Sequence, residues 1–429
     1  LEFELTFITK IGGTVMPKLT AFIMILLFIG TGYAQEKDID EIIVRRIADN
    51  ILEHTKFDYV TWGSREVYHS TQEIPEGVEV RFRDQFTEWG YTMGVLNMAM
   101  IDLGAFLNEK KYTDFPIRHV ANGFDNYQFF QKRVNDDRPH YYWPYGQLWT
   151  MGELDDCGAM GASVIEVYHL VKRKDYREYI DKTAVHIMEK QDRLPDGTLV
   201  RKRPHEMTLW ADDLYMSVPF LARMGDLTGE SKYFDDALKQ VFQFTQYLWN
   251  PEKELYYHCY YSDLVRNGVA HWGRCNGWIM MAQVHLLNFL PKDHPQREAL
   301  RKNLERQILG IAKYQNEDGL WHQILDKTDS YLESSCSAMF VYSIARAVNE
   351  EWIDSRYASI ALRGWDGLKT HKITLDGQLK DVCVGTGVEN DLVFYYNRPA
   401  RLNETHGLGA IIEAGIEILR LKKTLGQNR

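Results

Sequence analysis

Six times along the chain a short cluster of polar or small residues gives way to a mostly apolar stretch of helical character. The clusters are Glu88-Trp89-Gly90-Tyr91, Asp155-Asp156-Cys157-Gly158, Ala211-Asp212-Asp213-Leu214, Arg274-Cys275-Asn276-Gly277, Ser335-Cys336-Ser337-Ala338 and Thr405-His406-Gly407-Leu408, about 55 to 70 residues apart. A period of that length marks a repeat architecture, in which each unit buries its apolar face against a neighbour. Between the clusters the pattern predicts more polar helices at 39–56, 116–133, 174–190, 231–248, 294–315 and 351–368. Each carries one apolar stripe, such as Leu300, Leu304, Ile308 and Ile311, which suits a helix with a single buried side.

The stretches Trp278–Leu290 and Ala338–Val348 are apolar nearly all round, as burial on both sides requires. They belong to an inner ring, and the striped helices to an outer one. Asp196-Gly197, Asp318-Gly319 and Asp376-Gly377 are turn signals, each followed by a short extended run. Twelve alternating helices in six hairpins predict an all-α fold, a closed (α/α)6 barrel with short extended segments in its loops. With 429 residues, 45% of them hydrophobic, the chain can bury one large core. Residues 35–429 are therefore expected to form a single domain.

Residues 1–34 stand apart. Met16-Pro17-Lys18, an apolar run from Leu19 to Ile29, and small residues up to Ala34 read as a secretory signal peptide cleaved after Ala34. Residues 1–15 precede this start methionine and are left out of the fold. The run is too short for a comfortable membrane span, so an exported protein, periplasmic or secreted and with no span after cleavage, is expected. The 50 basic side chains fall short of the 60 acidic ones, a formal charge of −10, which argues against nucleic acid as a partner. Five cysteines form no CxxC pair and the histidines no HExxH, so neither a disulfide framework nor a zinc site is indicated, and no cofactor is expected.

In such a barrel every inner helix starts at one end, so the six clusters and the loops before them meet at one cavity mouth. The inventory there is Asp155, Asp156, Asp212, Asp213 and Glu333, with His205, His258, His271, His322, His406, Arg274 and the aromatics Trp89, Tyr91, Trp210, Trp272, Trp278 and Trp321. Carboxylates among aromatics suit sugar binding. A lone aspartate at a helix start is usually an N-cap. Two Asp-Asp pairs exceed what capping needs, because neighbouring side chains do not share a face.

The runs Leu209-Trp210-Ala211-Asp212-Asp213-Leu214-Tyr215-Met216, Trp272-Gly273-Arg274-Cys275-Asn276-Gly277-Trp278, Asp318-Gly319-Leu320-Trp321-His322-Gln323 and Glu333-Ser334-Ser335-Cys336-Ser337-Ala338-Met339 resemble the unsaturated glucuronyl and rhamnogalacturonyl hydrolases, glycoside hydrolase families 88 and 105. The likeness extends to His406-Gly407-Leu408-Gly409; Cys275 departs from it, standing where many relatives carry glycine. It implies an (α/α)6 barrel and a hydrolysis that begins by hydrating a double bond. Polysaccharide lyases leave a uronic acid with a C4=C5 bond that is an enol ether. A proton at C4 makes C5 oxocarbenium-like, and water adding there yields a hemiketal that rearranges and expels the next sugar.

By resemblance Asp212 gives the proton and activates the water, Asp156 assists, and His258 contacts the unsaturated sugar. Trp210 and nearby Asp156 are expected to push the Asp212 pKa upward as a coupled pair. Arg274 offers the planar fork that a substrate carboxylate needs, unless it serves a structural salt bridge. Trp210 and Trp278 would wall the sugar ring, with Tyr91, Trp272, His322 and His406 around it. The expected partner is an unsaturated oligosaccharide of rhamnogalacturonan or ulvan type; the sequence leaves rhamnose, sulfated rhamnose and a hexosamine open as its next sugar. An inverting endoglycosidase, a sugar epimerase and a catalytically silent carbohydrate-binding relative remain the alternatives.

Overall fold

The Asp38 carboxylate accepts the N–H of Asp40 at 2.9 Å and so opens the first helix, Ile39–His54 (α1). Its Val44, Ile47, Ala48 and Ile51 form one buried stripe. This computed structural model describes residues 38–134 and 138–427, so the expected leader and signal peptide lie outside the described residues. Eleven further helices complete the alternation. The inner ones are Tyr91–Leu107 (α2), Leu154–Leu170 (α4), Val218–Thr228 (α6), Gly273–Phe289 (α8), Ser334–Asn349 (α10) and Thr405–Gln427 (α12). The outer ones, after α1, are Lys110–Gln131 (α3), Lys174–Val185 (α5), Ser231–Leu248 (α7), Arg297–Ala312 (α9) and Ala358–Gly367 (α11).

Each inner helix packs on the next, and α12 returns to α2, which closes the ring. The outer helices lie on inner ones, α3 on α2 and α1 on α12 among them. The apolar-all-round pattern has its cause here, since every residue of α8 from Gly273 to Leu287 is buried. The fold is the (α/α)6 barrel that the repeats imply.

The boundaries differ from the sequence pattern where tertiary burial or proline chemistry intervenes. Helix α3 starts at Lys110, six residues before Pro116, because Tyr112, Phe115, Pro116, His119 and Val120 continue one buried face; that burial outweighs the missing proline N–H. The third inner helix is broken. Ala211–Leu214 is a 3-10 turn, and α6 begins only at Val218 with Pro219 in its first turn, where proline is tolerated. Helix α11 starts at Ala358 rather than near 351, after a 3-10 turn over Ser355–Tyr357. Both α5 and α11 run on into π turns, His186–Lys190 and Leu368–Lys372.

Gly197, Gly319 and Gly377 take φ of +91°, +83° and +86°, the left-handed conformation that glycine adopts without penalty. Small antiparallel sheets carry the loops. Tyr59–Thr61 (β1) lies between Val67–Tyr68 (β2) and Val80–Phe82 (β3). Thr208–Trp210 (β4) pairs with Cys259–Tyr261 (β7), which pairs with Arg266–Asn267 (β8). Trp249–Asn250 (β5) pairs with Leu255–Tyr256 (β6), and Val382–Cys383 (β9) with Ala400–Arg401 (β10). All five cysteines are buried free thiols.

Candidate active site

Strand β4 delivers Trp210 directly into the 3-10 turn that holds Asp212, and its register opposite β7 sets Trp210 across from Cys259. The Ala211 N–H donates to the His258 carbonyl at 2.9 Å, pinning the turn to the neighbouring strand. Asp212 Oδ2 therefore lies 2.9 Å from His258 Nε2, and His258 Nδ1 lies 2.8 Å from the Tyr395 hydroxyl. With Nε2–H donated to Asp212, the other ring nitrogen of His258 is held by the Tyr395 hydroxyl. The imidazole is fully buried against Trp272, 4.6 Å between ring centres. Burial alone would raise the Asp212 pKa, but His258, Arg201 and Arg274 outweigh it and leave the carboxyl below its ordinary 3.8. The expected upward shift is thus corrected: the carboxylate faces cations and a donor, and His258, Arg201 and Arg274 are the groups that pull it down most.

Asp156 has another setting. In the first turn of α4 it forms a capping box with Glu153, accepting from the N–H groups of Gly152 at 2.8 Å and Glu153 at 3.0 Å. It also accepts from His140 Nε2 at 3.0 Å and Gln147 Nε2 at 2.9 Å. Burial opposes its charge, yet these donors hold its pKa below 3.8. Its carboxylate anchors the segment 140–147.

The remaining two aspartates converge on Arg201, which is 2% exposed. Its guanidinium donates to both oxygens of Asp155 at 2.8 Å and to Asp213 at 2.6 and 3.0 Å. The same guanidinium lies 4.4 Å from the Trp210 ring centre. Burial pushes the Asp213 carboxyl up to about 7 against the pull of Arg201. Trp210 is 7% exposed, with Arg203 also on its ring, so it is a wall braced by two arginines.

Arg274, in the first turn of α8, is 1% exposed and stacks over Trp272 at 4.6 Å. It donates to the carbonyls of Cys383 and Val384, the latter at 2.6 Å, and to Ser335 Oγ at 3.4 Å. Among the described residues it has no ion pair, so the structural salt bridge is not made. Glu333, the nearest alternative, instead caps α10, accepting from the N–H groups of Ser335, Cys336 and Cys383. It thereby fixes the β9 carbonyl that Arg274 holds.

Tyr91 donates to His406 Nε2 at 2.6 Å, and His406 Nδ1 lies 2.6 Å from Glu404 Oε1. Tyr91 feels the charges of Asp155, Arg274, Asp212 and Arg201, which places it in the same cavity. Trp278 is 1% exposed and packs beneath Tyr215 and Tyr91, at 4.6 and 6.4 Å. A β-carbon at Gly385 would lie 3.6 Å from the His406 ring, and one at Gly387 3.9 Å from Trp210. The loop after β9 therefore runs from His406 to Trp210. His322 turns to the Ser330 carbonyl at 2.5 Å and has no bond to Asp212, His258 or Arg274 among the described residues.

Arg201 and Tyr395 are the residues that helix starts do not reveal. Arg201 sits in the extended run after Asp196-Gly197, a turn already legible, whereas Tyr395 lies in a five-residue helix, Leu392–Tyr396, with no motif to mark it. No cluster of three or more His, Cys, Asp or Glu side chains among the described residues is arranged to hold a metal ion. The ensemble is a buried carboxylate on a histidine, next to a buried cation with no carboxylate of its own.

Residues 64–422 match the glycosyl hydrolase family 88. The chain belongs to glycosyl hydrolase family 88. It is accordingly a glycoside hydrolase. Similar family relatives include the unsaturated rhamnogalacturonyl hydrolase YesR of Bacillus subtilis, 26% identical over 63% of this chain and 78% of that protein. The unsaturated 3S-rhamnoglycuronyl hydrolase of an Alteromonas species is 28% identical over 49% of this chain, which spans about half (51%) of that relative. A solved family 105 glycoside hydrolase of C. acetobutylicum superposes with a TM-score of 0.70 at 23% identity, covering 88% of this chain and 99% of that one.

Proposed function

We propose that this family 88 enzyme removes a 4,5-unsaturated uronic acid from the non-reducing end of lyase-generated oligosaccharides by adding water across C4=C5. The observation that carries the reading is Arg274: a buried guanidinium without an acidic partner, in the field of the Asp212–His258 pair. A buried charge needs a counter-ion, and a uronate carboxylate conjugated to the reacting bond supplies one. Similarity to relatives named for unsaturated rhamnogalacturonyl and rhamnoglycuronyl substrates supports the same chemistry. It also favours rhamnose or sulfated rhamnose as the next sugar.

In the free enzyme the Asp212 carboxyl is held below its ordinary range, so the proton for C4 is taken up from solvent when the substrate binds. When the uronate carboxylate neutralises Arg274, one of the charges holding Asp212 down is cancelled, and the sugar displaces water from it. Both changes raise the Asp212 pKa, and the carboxyl takes up a proton. It then gives that proton to C4. Water attacks C5 while Asp212 accepts a proton from it, so one water is added and Asp212 is left protonated, returning to the carboxylate when the products leave and the proton taken up on binding goes back to solvent. The hemiketal opens and releases the adjoining sugar.

The conjugated double bond absorbs in the ultraviolet, and its loss from an unsaturated disaccharide is the test. Cleavage of intact polymer with no such loss would favour an endoglycosidase instead, and binding without turnover a silent relative. Binding measured in buffers of different ionisation enthalpy should show proton uptake by the wild type and none by Asp212→Asn. We further propose export to the periplasm or medium, supported by the apolar Leu19–Ile29 run and Ala34. A cell-fractionated protein whose first residue lies upstream of Gln35 would overturn that. No helix among the described residues is long and apolar enough to cross a membrane.

A further inference from the structure

An open cleft of about 620 Å³ is lined by Trp62, Arg81, Glu88, Tyr141, Tyr142 and Gln147 among others. Trp62 follows β1, Arg81 lies on β3, and the two tyrosines occupy the segment that Asp156 anchors. Trp62 is 57% exposed, Tyr141 64% and Tyr142 48%. Large aromatics left in water along one cleft mark a binding surface rather than core. The Tyr141 and Tyr142 rings lie 5.1 Å apart, tilted by 31°. Arg81 sits 5.5 Å from the Trp62 ring centre and in the field of Glu88, and its one hydrogen bond among the described residues is to the Phe82 carbonyl at 3.4 Å. It has no ion pair among the described residues.

The cleft joins the reaction site at two points. Gln147 lines it and donates to Asp156. Glu88 lines it and lies in the field of Glu404, the partner of His406. We infer that the cleft binds the sugars on the leaving-group side of the scissile bond. Trp62 and Tyr141 stack on their apolar faces, and Arg81 meets an acidic group further along the chain. This rests on the reading of the protein as an unsaturated uronyl hydrolase and extends it: the preferred substrate is an acidic oligosaccharide longer than a disaccharide.

The probes are an unsaturated uronyl-rhamnose disaccharide and the tetrasaccharide from the same lyase digest, which adds an internal uronate. Wild-type kcat/KM is expected to be at least fivefold higher on the tetrasaccharide. Trp62→Ala and Tyr141→Ala should each remove about five- to tenfold on the tetrasaccharide and less than threefold on the disaccharide. Arg81→Gln should cost about threefold and abolish the salt dependence of the tetrasaccharide KM. A tetrasaccharide carrying sulfate in place of the internal carboxylate distinguishes the two anions. Equal losses on both lengths, or none, overturn the inference. Calorimetric binding separates it from the function reading. If no unsaturated sugar is turned over but the tetrasaccharide binds more tightly than the disaccharide in a Trp62-dependent way, the cleft stands and the proposed reaction falls.

Discussion

Asp212→Asn keeps the size of the side chain and can still bond His258, but it cannot carry a proton to C4 or take one from water. It is expected to lower kcat by about 10² to 10⁴-fold with little change in substrate binding. A variant retaining more than about a tenth of wild-type kcat would remove Asp212 from that role. Tyr395→Phe is subtler, since it deletes only the hydroxyl that meets His258 Nδ1 at 2.8 Å and accepts from the Glu389 N–H at 3.3 Å. One such bond is worth about 1 kcal/mol, so kcat should drop about fivefold while KM holds; a rise in KM alone would show that Tyr395 contacts substrate. At this scale the sequence was a good guide to identity and a poor one to charge state. Asp212, His258 and Arg274 meet as expected, because a motif fixes which residue sits at a helix start. The Asp212 pKa was misjudged because burial is outweighed first by His258, which the strand pairing brings onto Asp212, and then by Arg201, 11 positions upstream and in no motif, and Arg274. The setting of Asp156 was not legible, because its partners His140 and Gln147 lie on a segment that carries no motif.

At the scale of elements, the 3-10 turn carrying Asp212 is located by close contact between two inner helices. Met216 N–H donates to the Asp212 carbonyl at 3.1 Å, and a β-carbon at Gly158 on α4 would fall 1.6 Å from the Met216 carbonyl oxygen. Only glycine allows α4 to come this near. Gly158→Ala must push α4 and the turn apart, at a cost of about 2 kcal/mol or more. Displacing a catalytic group by about 1 Å can cost about 10²-fold, so activity at a temperature where the variant is fully folded should fall far more than its melting point suggests. Gly426→Ala, where no atom lies within 4 Å, is the control and should change neither. The twelve-helix alternation was legible because a 3.6-residue stripe is a local property of sequence. The break at Tyr215–Ser217 was not, since Pro219 permits either a new start or a kink and the packing of α4 selects the first.

For the whole molecule, ring closure brings ionisable side chains from all six inner helices together beyond the reaction site. Arg223 of α6 donates to Glu166 of α4 at 2.6 Å and lies 3.2 Å from His285 of α8. Arg346 of α10 meets Glu417 of α12 at 3.2 Å, and Asp102 of α2 faces Glu413 of α12. No single helix shows this network, which exists only once α12 has docked on α2. Glu413 is 4% exposed, and burial, then Asp102 and Glu417, raise its pKa well above 4.5. A folded-state pKa above the unfolded one means that the folded protein keeps a proton that the unfolded chain releases. The stability this contributes is complete below about pH 4.5 and is lost as pH rises toward the folded value. Glu413→Gln carries no such dependence. It should melt close to wild type near pH 4.5 and progressively higher than wild type as the buffer is raised to pH 8, because the amide has no proton for the unfolded chain to release. Melting curves of both proteins across that range check the assignment, and a gap that narrows toward alkaline pH would mean that Glu413 is ionised in the closed barrel.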